Sequence, residues 1–483
     1  MLEDIIGERK QKLEKWRAFA DPYPPRVKKT VGIGTLAENF SRFEKTRKRI
    51  STAGRVMSVR DQGNIIFADI RDESGRMQGV LSKKETKQFS AIKGSLDVGD
   101  FISISGILFK TKKGERSILA KEALIIAKSL RPIPKEWFGL EDVETKLRKR
   151  YLDSILNPDV KDLFRKKGLF WRTVREFLAD EGFLEVENPV LESVPGGAEA
   201  EPFVTHHNAL DEDFYLRISL ELPLKKMLVG GFEKVFELGR IFRNEGIDRE
   251  HLQDYTQMEV YWAYADYHDM MKLTERLYKK IVRNVCGGMK SKREGVTIDW
   301  GKKWKTYEYF DLFKKYAGLD LRTASLDALR KKADDLNLVS EKGAGRGRLV
   351  DLIYKKTVRP HLQEPSFLVN PPVEIEPLAK RIPGDPLRVE RFQIMAAGTE
   401  LGKGFSELND PMDQRKRFEE QAALREHGDK EAQMMNEDFV EALEYGMPPA
   451  GGFGMSERVF AVLMDLPIRE TVYFPLMRRN SKS

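Results

Sequence analysis

No apolar run in the chain approaches the roughly 18 residues that a membrane-spanning helix requires, and only one cysteine, Cys286, occurs in 483 residues. The first absence argues against a helical membrane protein. The second excludes an intrachain disulfide and a thiolate metal cage, and it fits a reducing compartment, so a cytoplasmic protein is expected. Met1 to Arg17 is charged and amphipathic and lacks the apolar stretch of a secretory signal. Internal repeats and low-complexity tracts are also missing. Charge of one sign is scarce, since 84 basic residues against 76 acidic leave a formal +8. A surplus this thin is compatible with a polyanionic partner and equally with solvated surface. What is present is 41% hydrophobic and 33% charged, a globular composition in a chain too long for one core.

The patterning divides the chain into segments. Residues 1–47 form a basic, helical extension: a helix over about 1–20 carries Arg9, Lys10, Lys12, Lys15 and Arg17 and is ended by Asp21-Pro22-Tyr23-Pro24-Pro25. Those cations suit either solvent or RNA phosphates. Residues 48–130 show five short alternating runs, Thr52 to Val59, Ile65 to Ile70, Gln78 to Leu81, Phe101 to Phe109 and Ile118 to Ile126. Turn residues separate them, which predicts a small five-stranded barrel such as the OB-fold. Residues 131–145, opening Arg131-Pro132-Ile133-Pro134, read as a linker. From 146 to 483 helices mix with longer strands. Asn157 to Asp180 and 266 to 287 read as helices; Phe214 to Ile218, Lys234 to Phe242 and Tyr255 to Tyr264 read as strands. A Lys-rich segment of about 288–365 is expected to be helical and carries no legible chemistry. Strands follow near 366–408, then a helix around 411–427, and 451–465 reads as strand into helix.

Strand parity singles out candidate site residues. In a strand over 255–261, Tyr255, Gln257, Glu259 and Tyr261 share one face, while Thr256, Met258 and Val260 share the other. Such a polar, aromatic face suits a site, although an ordinary half-exposed strand has the same pattern. Arg243 and Glu245 share a face one strand upstream, joined through the loop Gly246 to Asp254, so Arg243 is within reach of the Glu259 pocket. Lys403, Phe405 and Glu407 share a face of a third strand. Glu400 has the opposite parity and needs a bulge to join them, which Gly402 permits. Arg243 has a planar fork that suits an anion. Carboxylates at 221, 259 and 407, if they converge, ask for a cationic ligand.

These residues carry a resemblance to the class II aminoacyl-tRNA synthetases of the lysine type, over nearly the whole chain. Three signatures stand in order: Gly182-Phe-Leu-Glu-Val-Glu-Asn-Pro189; then Phe242-Arg243-Asn-Glu245 followed by His251-Leu-Gln-Asp-Tyr255; then Gly452-Phe-Gly454-Met-Ser-Glu-Arg458. Pro195 to Leu210, Val229 to Phe236, Pro372 to Lys380 and Phe405 to Asp410 resemble strings of the lysine enzymes. The resemblance implies an α+β multidomain fold, with an N-terminal OB-fold that reads the anticodon and a C-terminal class II synthetase domain on a mostly antiparallel sheet flanked by helices. It implies activation of L-lysine with ATP to lysyl-adenylate and pyrophosphate, then transfer to tRNA(Lys), by a homodimer using Mg²⁺ and no membrane. Arg243 and Arg458 are the implied catalytic residues, with Glu245, His251, Tyr255 and Glu400 completing the ATP site. Gly197, Glu221, Glu259, Tyr261, Lys403, Phe405 and Glu407 are the implied lysine site. Glu400 is the implied metal ligand, with Gln393 and Glu407 as further possibilities. Phe67, Gln78 and Glu122 match the anticodon contacts, and Pro189 marks the dimer motif.

The chain also departs from the family pattern. The third signature is one residue short, with two alternating glycines instead of three. Tyr255 replaces a Phe, Leu252 an Asn, Glu201 an Arg, Lys403 an Asn, and Gln393 a carboxylate. Other ligases of the same fold, of the aspartate, asparagine or protein-lysylating types, and a catalytically dead RNA-binding relative are the alternatives. The carboxylate pocket disfavours an acidic substrate, and the barrel sets the chain apart from protein-lysylating enzymes.

Overall fold

Inside–outside alternation in residues 50–127 closes a barrel in the computed structural model, which describes residues 2–134, 142–244, 246, 251–339, 344–426 and 432–478. The strands are β1 (Ile50–Asp61), β2 (Ile65–Arg71), β3 (Arg76–Ser82), β4 (Phe101–Lys110) and β5 (Arg116–Ala127), in the order β1-β2-β3-β5-β4. Each runs one to four residues longer than the sequence suggests. Ile66, Ala68 and Ile70 point inward with Ile102, Ile104, Ile118 and Ile125, while Phe67 and Asp69 point out. Only β3 and β5 pair in parallel, as an OB-fold requires.

Helix α1 (Leu2–Arg17) lays Ile6, Leu13 and Trp16 on the outside of this barrel's core. The Trp16 indole is fully buried and donates to the Ile125 carbonyl at 3.2 Å. The basic stretch of α1 is less free than its sequence implies. Arg9 is buried and donates to the carbonyls of Val98 and Ser129, and Lys12 pairs with Asp97 at 2.8 Å. Lys10, Lys15 and Arg17 remain at the surface.

The chain divides between Asp142 and Val143, and residues 135–141 of the expected linker lie outside the described set. The second unit is organised by an eight-stranded sheet. Its strands are β6 (Leu184–Glu185), β7 (Lys234–Phe242), β8 (Asp254–Ala263), β9 (Lys305–Glu308), β10 (Ser366–Val369), β11 (Arg391–Ala396), β12 (Thr399–Ser406) and β13 (Ala450–Ser456). They lie in the order β9-β10-β11-β12-β13-β8-β7-β6, antiparallel except for the two edge pairs. Two long helices, α2 (Pro158–Asp180) and α3 (Tyr267–Cys286), cover one face. Their apolar stripes, including Phe170, Val174, Leu277 and Ile281, meet Met258, Val260, Phe392, Phe453 and Met455 from the sheet. Asn157 caps α2 and Asp266 caps α3 with a capping box. The other face of the sheet is open to the site.

Two expectations change. The strand read at Phe214 to Ile218 lies at Glu212–Leu216. The Lys-rich segment is not helical throughout: a hairpin pairs Lys290–Arg293 with Val296–Asp299, and β9 follows before three helices. Lys290-Ser-Lys-Arg293 has little β propensity, and the hairpin is set instead by its turn, where Glu294 and Gly295 both have positive φ (49° and 82°). Ile298 and Trp300 then anchor it in the main core.

Trp16→Ala is expected to cost the barrel unit about 3–5 kcal/mol, by loss of buried area and of an indole hydrogen bond. A denaturant titration of the full chain, followed by a barrel-specific probe, measures this; an unchanged midpoint would mean α1 is not part of the barrel's core.

Candidate active site

Three neighbouring strands build the floor of a cavity of about 490 Å³. β13 runs between β8 and β12, and its site-facing positions are Gly452, Gly454 and Ser456. Across it, Glu259 and Lys403 flank Gly454, while Tyr261 and Phe405 flank Gly452. Glycine is required where these side chains lean over the central strand. A Cβ on Gly452 would lie 2.0 Å from Glu407 Oε1 and 2.6 Å from the Tyr261 ring. The shortened third signature therefore keeps the strand continuous, with Ser456 in the third site-facing position. Ser456 Oγ accepts the Arg458 N–H at 3.3 Å, and Arg458 opens the helix Arg458–Leu463 on the cavity wall.

The bulge that Glu400 needs is present. Ile394 pairs with Gly402 and Met395 with Glu400, so Leu401 is the extra residue. Leu401 turns into the core, and Glu400 reaches the cavity beside Gln393. Gln393 donates its amide N–H to Glu400 Oε2. The structure thus makes Gln393 a partner of the carboxylate rather than a metal ligand. Among the described residues no cluster of three His, Cys, Asp or Glu is arranged to hold a metal. Mg²⁺ bound with phosphates asks for only one or two protein carboxylates, and Glu400 fits that need.

At the far end of the cavity the acidic residues converge. Glu259 Oε1 accepts from Ser219 Oγ at 2.7 Å, the Leu220 N–H at 3.0 Å and Gln257 Nε2 at 2.5 Å. Its Oε2 accepts from Tyr261 at 2.9 Å. Glu221 opens the helix Glu221–Val229, and Lys225, one turn on, pairs with it at 2.5 Å. The same ammonium pairs with Glu407 Oε2, and it lies 5.4 Å from the Phe405 ring centre. Lys225 is fully buried. Its role was not apparent from the sequence, although its spacing from Glu221 is that of a helical ion pair. Glu407 is equally buried, and Lys225 takes one of its oxygens. The other, Oε1, lies over Gly452 and has no hydrogen-bond partner among the described residues.

This cluster is short of positive charge. Three carboxyl groups crowd one buried ammonium, more acid than that single cation can pair. Burial, with Glu259 adding to it and Lys225 opposing, pushes the Glu221 carboxyl up to about 7. Burial also raises Glu407 well above the usual carboxylate range, against Lys225 and with Glu221. The Tyr261 hydroxyl rises for the same reasons, burial first and the three carboxylates next. Opposite signs nearby would have lowered the carboxyls. Gly197, at φ +84°, brings the preceding loop against this end, where a Cβ would meet Glu221 and Ser219 at 2.9–3.0 Å.

The cationic groups lie elsewhere on the wall. Arg243 donates to the Ile218 carbonyl at 3.3 Å, and its guanidinium sits 5.9 Å from the Tyr255 ring centre. Arg243, Tyr255, Glu259 and Glu400 line the same cavity. His251 is half-buried and is not part of its wall. Glu245 lies outside the described residues. Lys403 pairs with Glu376 at 2.7 Å, with Arg391 on the same carboxylate oxygen at 3.2 Å. Glu376 and Arg391 were not singled out in the sequence. The helix Arg346–Thr357 also contributes Arg348, Asp351 and Lys355 to the wall, which gives the Lys-rich segment a place at the site.

In the barrel unit, Phe67, Gln78 and Glu122 face outward on adjacent strands. Phe67 is not a core residue; the Arg60 guanidinium lies 5.5 Å from its ring centre. Gln78 Oε1 accepts from Ser117 at 3.1 Å, and Glu122 pairs with Arg49 at 3.1 Å. Pro189 is exposed beside Val190 and Leu191, with Leu184 and Leu191 each 45–49% exposed.

A family model described as class II tRNA synthetases (D, K and N) matches residues 142–478, and one described as an OB-fold nucleic acid binding domain matches residues 50–126. The chain is 44% identical over 484 residues to the lysine–tRNA ligase of Roseiflexus castenholzii, covering 99% of each chain. It is 43% identical to the lysine–tRNA ligase of Moorella thermoacetica, covering 98% of each, and 42% identical to that of Fervidobacterium nodosum, covering 99% of this chain and 95% of the relative.

Because both carboxyls of the Lys225 cluster have raised folded-state pKa values, the folded chain holds more protons there than the unfolded one, and the cluster's contribution to stability falls as pH rises from the usual carboxylate range to about 7. Lys225→Met removes the one cation that offsets this. It should cost about 3–5 kcal/mol near pH 8 and clearly less near pH 5, where the carboxyls take up protons. Urea unfolding at both pH values reads the difference; an equal loss at both would exclude this charge balance.

Proposed function

The chain belongs to the lysine–tRNA ligases of the class II synthetases, and we propose that the Glu221–Glu259–Glu407 end of its cavity holds the two ammonium groups of L-lysine while Arg243 and Arg458 hold ATP. The enzyme joins lysine to ATP as lysyl-adenylate, releasing pyrophosphate, and transfers the lysyl group to the 3′ end of tRNA(Lys). The observation that supports the substrate assignment is the excess of carboxyl groups over cations around Lys225. Free lysine at neutral pH brings two ammonium groups. A fully buried ion cluster of this kind also rejects uncharged analogues, because its carboxylates would be left unpaired. An acidic amino acid would add to the excess.

The reaction needs no covalent enzyme intermediate. The lysine carboxylate attacks the α-phosphorus in line with the leaving pyrophosphate, so the protein contributes position and charge. Glu259 and Glu407, with Tyr261 between them, hold the ε-ammonium, and Phe405 packs along the aliphatic stem. Glu221, beside Gly197, holds the α-ammonium. Arg243, stacked near Tyr255, bridges the attacking carboxylate and the α-phosphate, and its bidentate fork suits both. Arg458 takes the outer phosphates and sandwiches adenine against Tyr255, both of them lining the cavity. Glu400 would hold Mg²⁺ together with phosphate oxygens, and the ion would neutralise charge on the departing pyrophosphate.

The outward Phe67, Gln78 and Glu122 read an unstacked anticodon base by stacking and edge contacts, a mode suited to single-stranded RNA. The exposed apolar residues around Pro189 support a homodimer through this surface. A reducing, cytoplasmic setting fits the lone cysteine, Cys286.

Pyrophosphate exchange with each amino acid in turn tests this reading directly. Lysine should support exchange and aspartate should not. Glu259→Gln should raise the lysine KM about a hundredfold or more, with the ATP KM changed far less, because one partner of a desolvated ion pair is lost. Equal effects on both substrates would sink the pocket assignment. Phe67→Ala should lower tRNA charging about tenfold, within the range of one lost base stack, and leave exchange intact. A parallel fall in exchange would mean that Phe67 supports the fold instead.

A further inference from the structure

Beside the acidic end, the cavity wall carries a second cluster of charges. Gln393 and Lys403 are direct cross-strand partners on β11 and β12, one strand pair away from the bulge that presents Glu400. Glu376, only 4% exposed, accepts Lys403 and lies against Arg391. Glu376 is thus shared by two cations, and Glu400 is the next carboxylate to act on both of them. Lys403 stays only partly buried in this pairing, with 41% of its side chain exposed on the cavity lining. Burial opposes charge on Lys403, but Glu376 outweighs it and Glu400 adds to the effect; the nearest opposing charge is Arg391. Glu376 and Glu400 together hold the ammonium in its charged form.

The same wall offers no ready metal cage: among the described residues no three His, Cys, Asp or Glu are arranged to hold an ion, and Gln393 turns a neutral N–H toward Glu400. The reverse amide orientation would set two oxygens against each other. A second divalent ion near Gln393 would gain little from a neutral amide. It would also meet Lys403 and Arg391 as like charges.

We propose that Lys403, held by Glu376 beside the Gln393–Glu400 pair, is a fixed phosphate-facing cation that takes the place of a second divalent ion, so that ATP binds here with one ion fewer than a wall with a carboxylate at 393 and a neutral residue at 403 would take. This rests on the assignment of ATP to the cavity. Lys403 acts on the outer phosphates as a point charge that cannot be diluted away or chelated. Its charge is present before ATP arrives, so no second ion has to be recruited and dehydrated when the phosphates bind. Glu376 fixes its position at the cost of half of its charge partner, which it shares with Arg391.

The test counts ions and does not require turnover. Mn²⁺ binding to the full chain, with a non-hydrolysable ATP analogue and lysine, is read by electron paramagnetic resonance. The double variant Gln393→Glu with Lys403→Asn should bind one more Mn²⁺ per active site than the wild-type chain. Lys403→Met should weaken analogue binding about tenfold at fixed free Mg²⁺, and Lys403→Arg should restore most of it. Equal Mn²⁺ counts in the wild type and the double variant, or analogue binding unmoved by Lys403→Met, would overturn the proposal. Should Lys403→Met fail to fold, the Arg variant and the double variant still decide through the ion count. A wild-type chain that binds no ATP analogue defeats the functional reading itself, whereas a chain that binds it with unchanged counts defeats only the role of Lys403.

Discussion

The site depends on one electrostatic constraint: several carboxylates share a water-poor pocket and cannot all keep their charge without cations. Lys225 supplies one positive charge from within the fold and is shared by Glu221 and Glu407. It satisfies the protein enough to fold but leaves a remainder that a ligand must complete. Had Lys225 been absent, the pocket would hold neutral acids and would lose its grip on a charged substrate. Had a second lysine been present, the pocket would be balanced and closed. Selectivity and foldability thus come from the same partial compensation, with the raised Glu221 and Glu407 as its visible sign.

The backbone is arranged to permit this crowding. The central strand offers glycine at 452 and 454, so side chains from both flanking strands close over it without a ridge between them. On the opposite face the same strand presents Phe453 and Met455 to the long helices, and the sheet remains anchored. Alternation of the pleat does both jobs with one strand. Charge is segregated along the cavity in a similar way. The end around Glu221, Glu259 and Glu407 is rich in acid, while Arg243, Arg391, Lys403 and Arg458 stand on the rest of the lining.

Much of this was legible from residue pattern. Lys234 to Phe242 is a strand over that very span, the parity of Gln257, Glu259 and Tyr261 holds, and the five barrel strands stand where alternation and turns put them. A single aromatic in a strand has no sign of its own; burial of Ile66 and Ala68 on either side of Phe67 decides that it faces out. Other features were hidden for physical reasons. Lys225 looked like one more lysine on a surface helix, and only the tertiary fold brings it to Glu407, 182 positions away. Glu376 and Arg391 meet Lys403 across separate elements, so no spacing announces them. The hairpin after residue 290 escaped because its strand is made of lysine, serine and arginine, and its turn rather than its strands carries the signal.

The extra residue at Leu401 has a further consequence. It splits β12 into two lengths that are out of step, one facing the core where the other faces the cavity. Loss of a single residue in this stretch would leave the ladder's hydrogen bonds available yet reverse which side chains face the core and which face the cavity. Length in this short stretch is therefore under tighter control than chemistry, and insertions or deletions there should be rarer than substitutions at any of its positions.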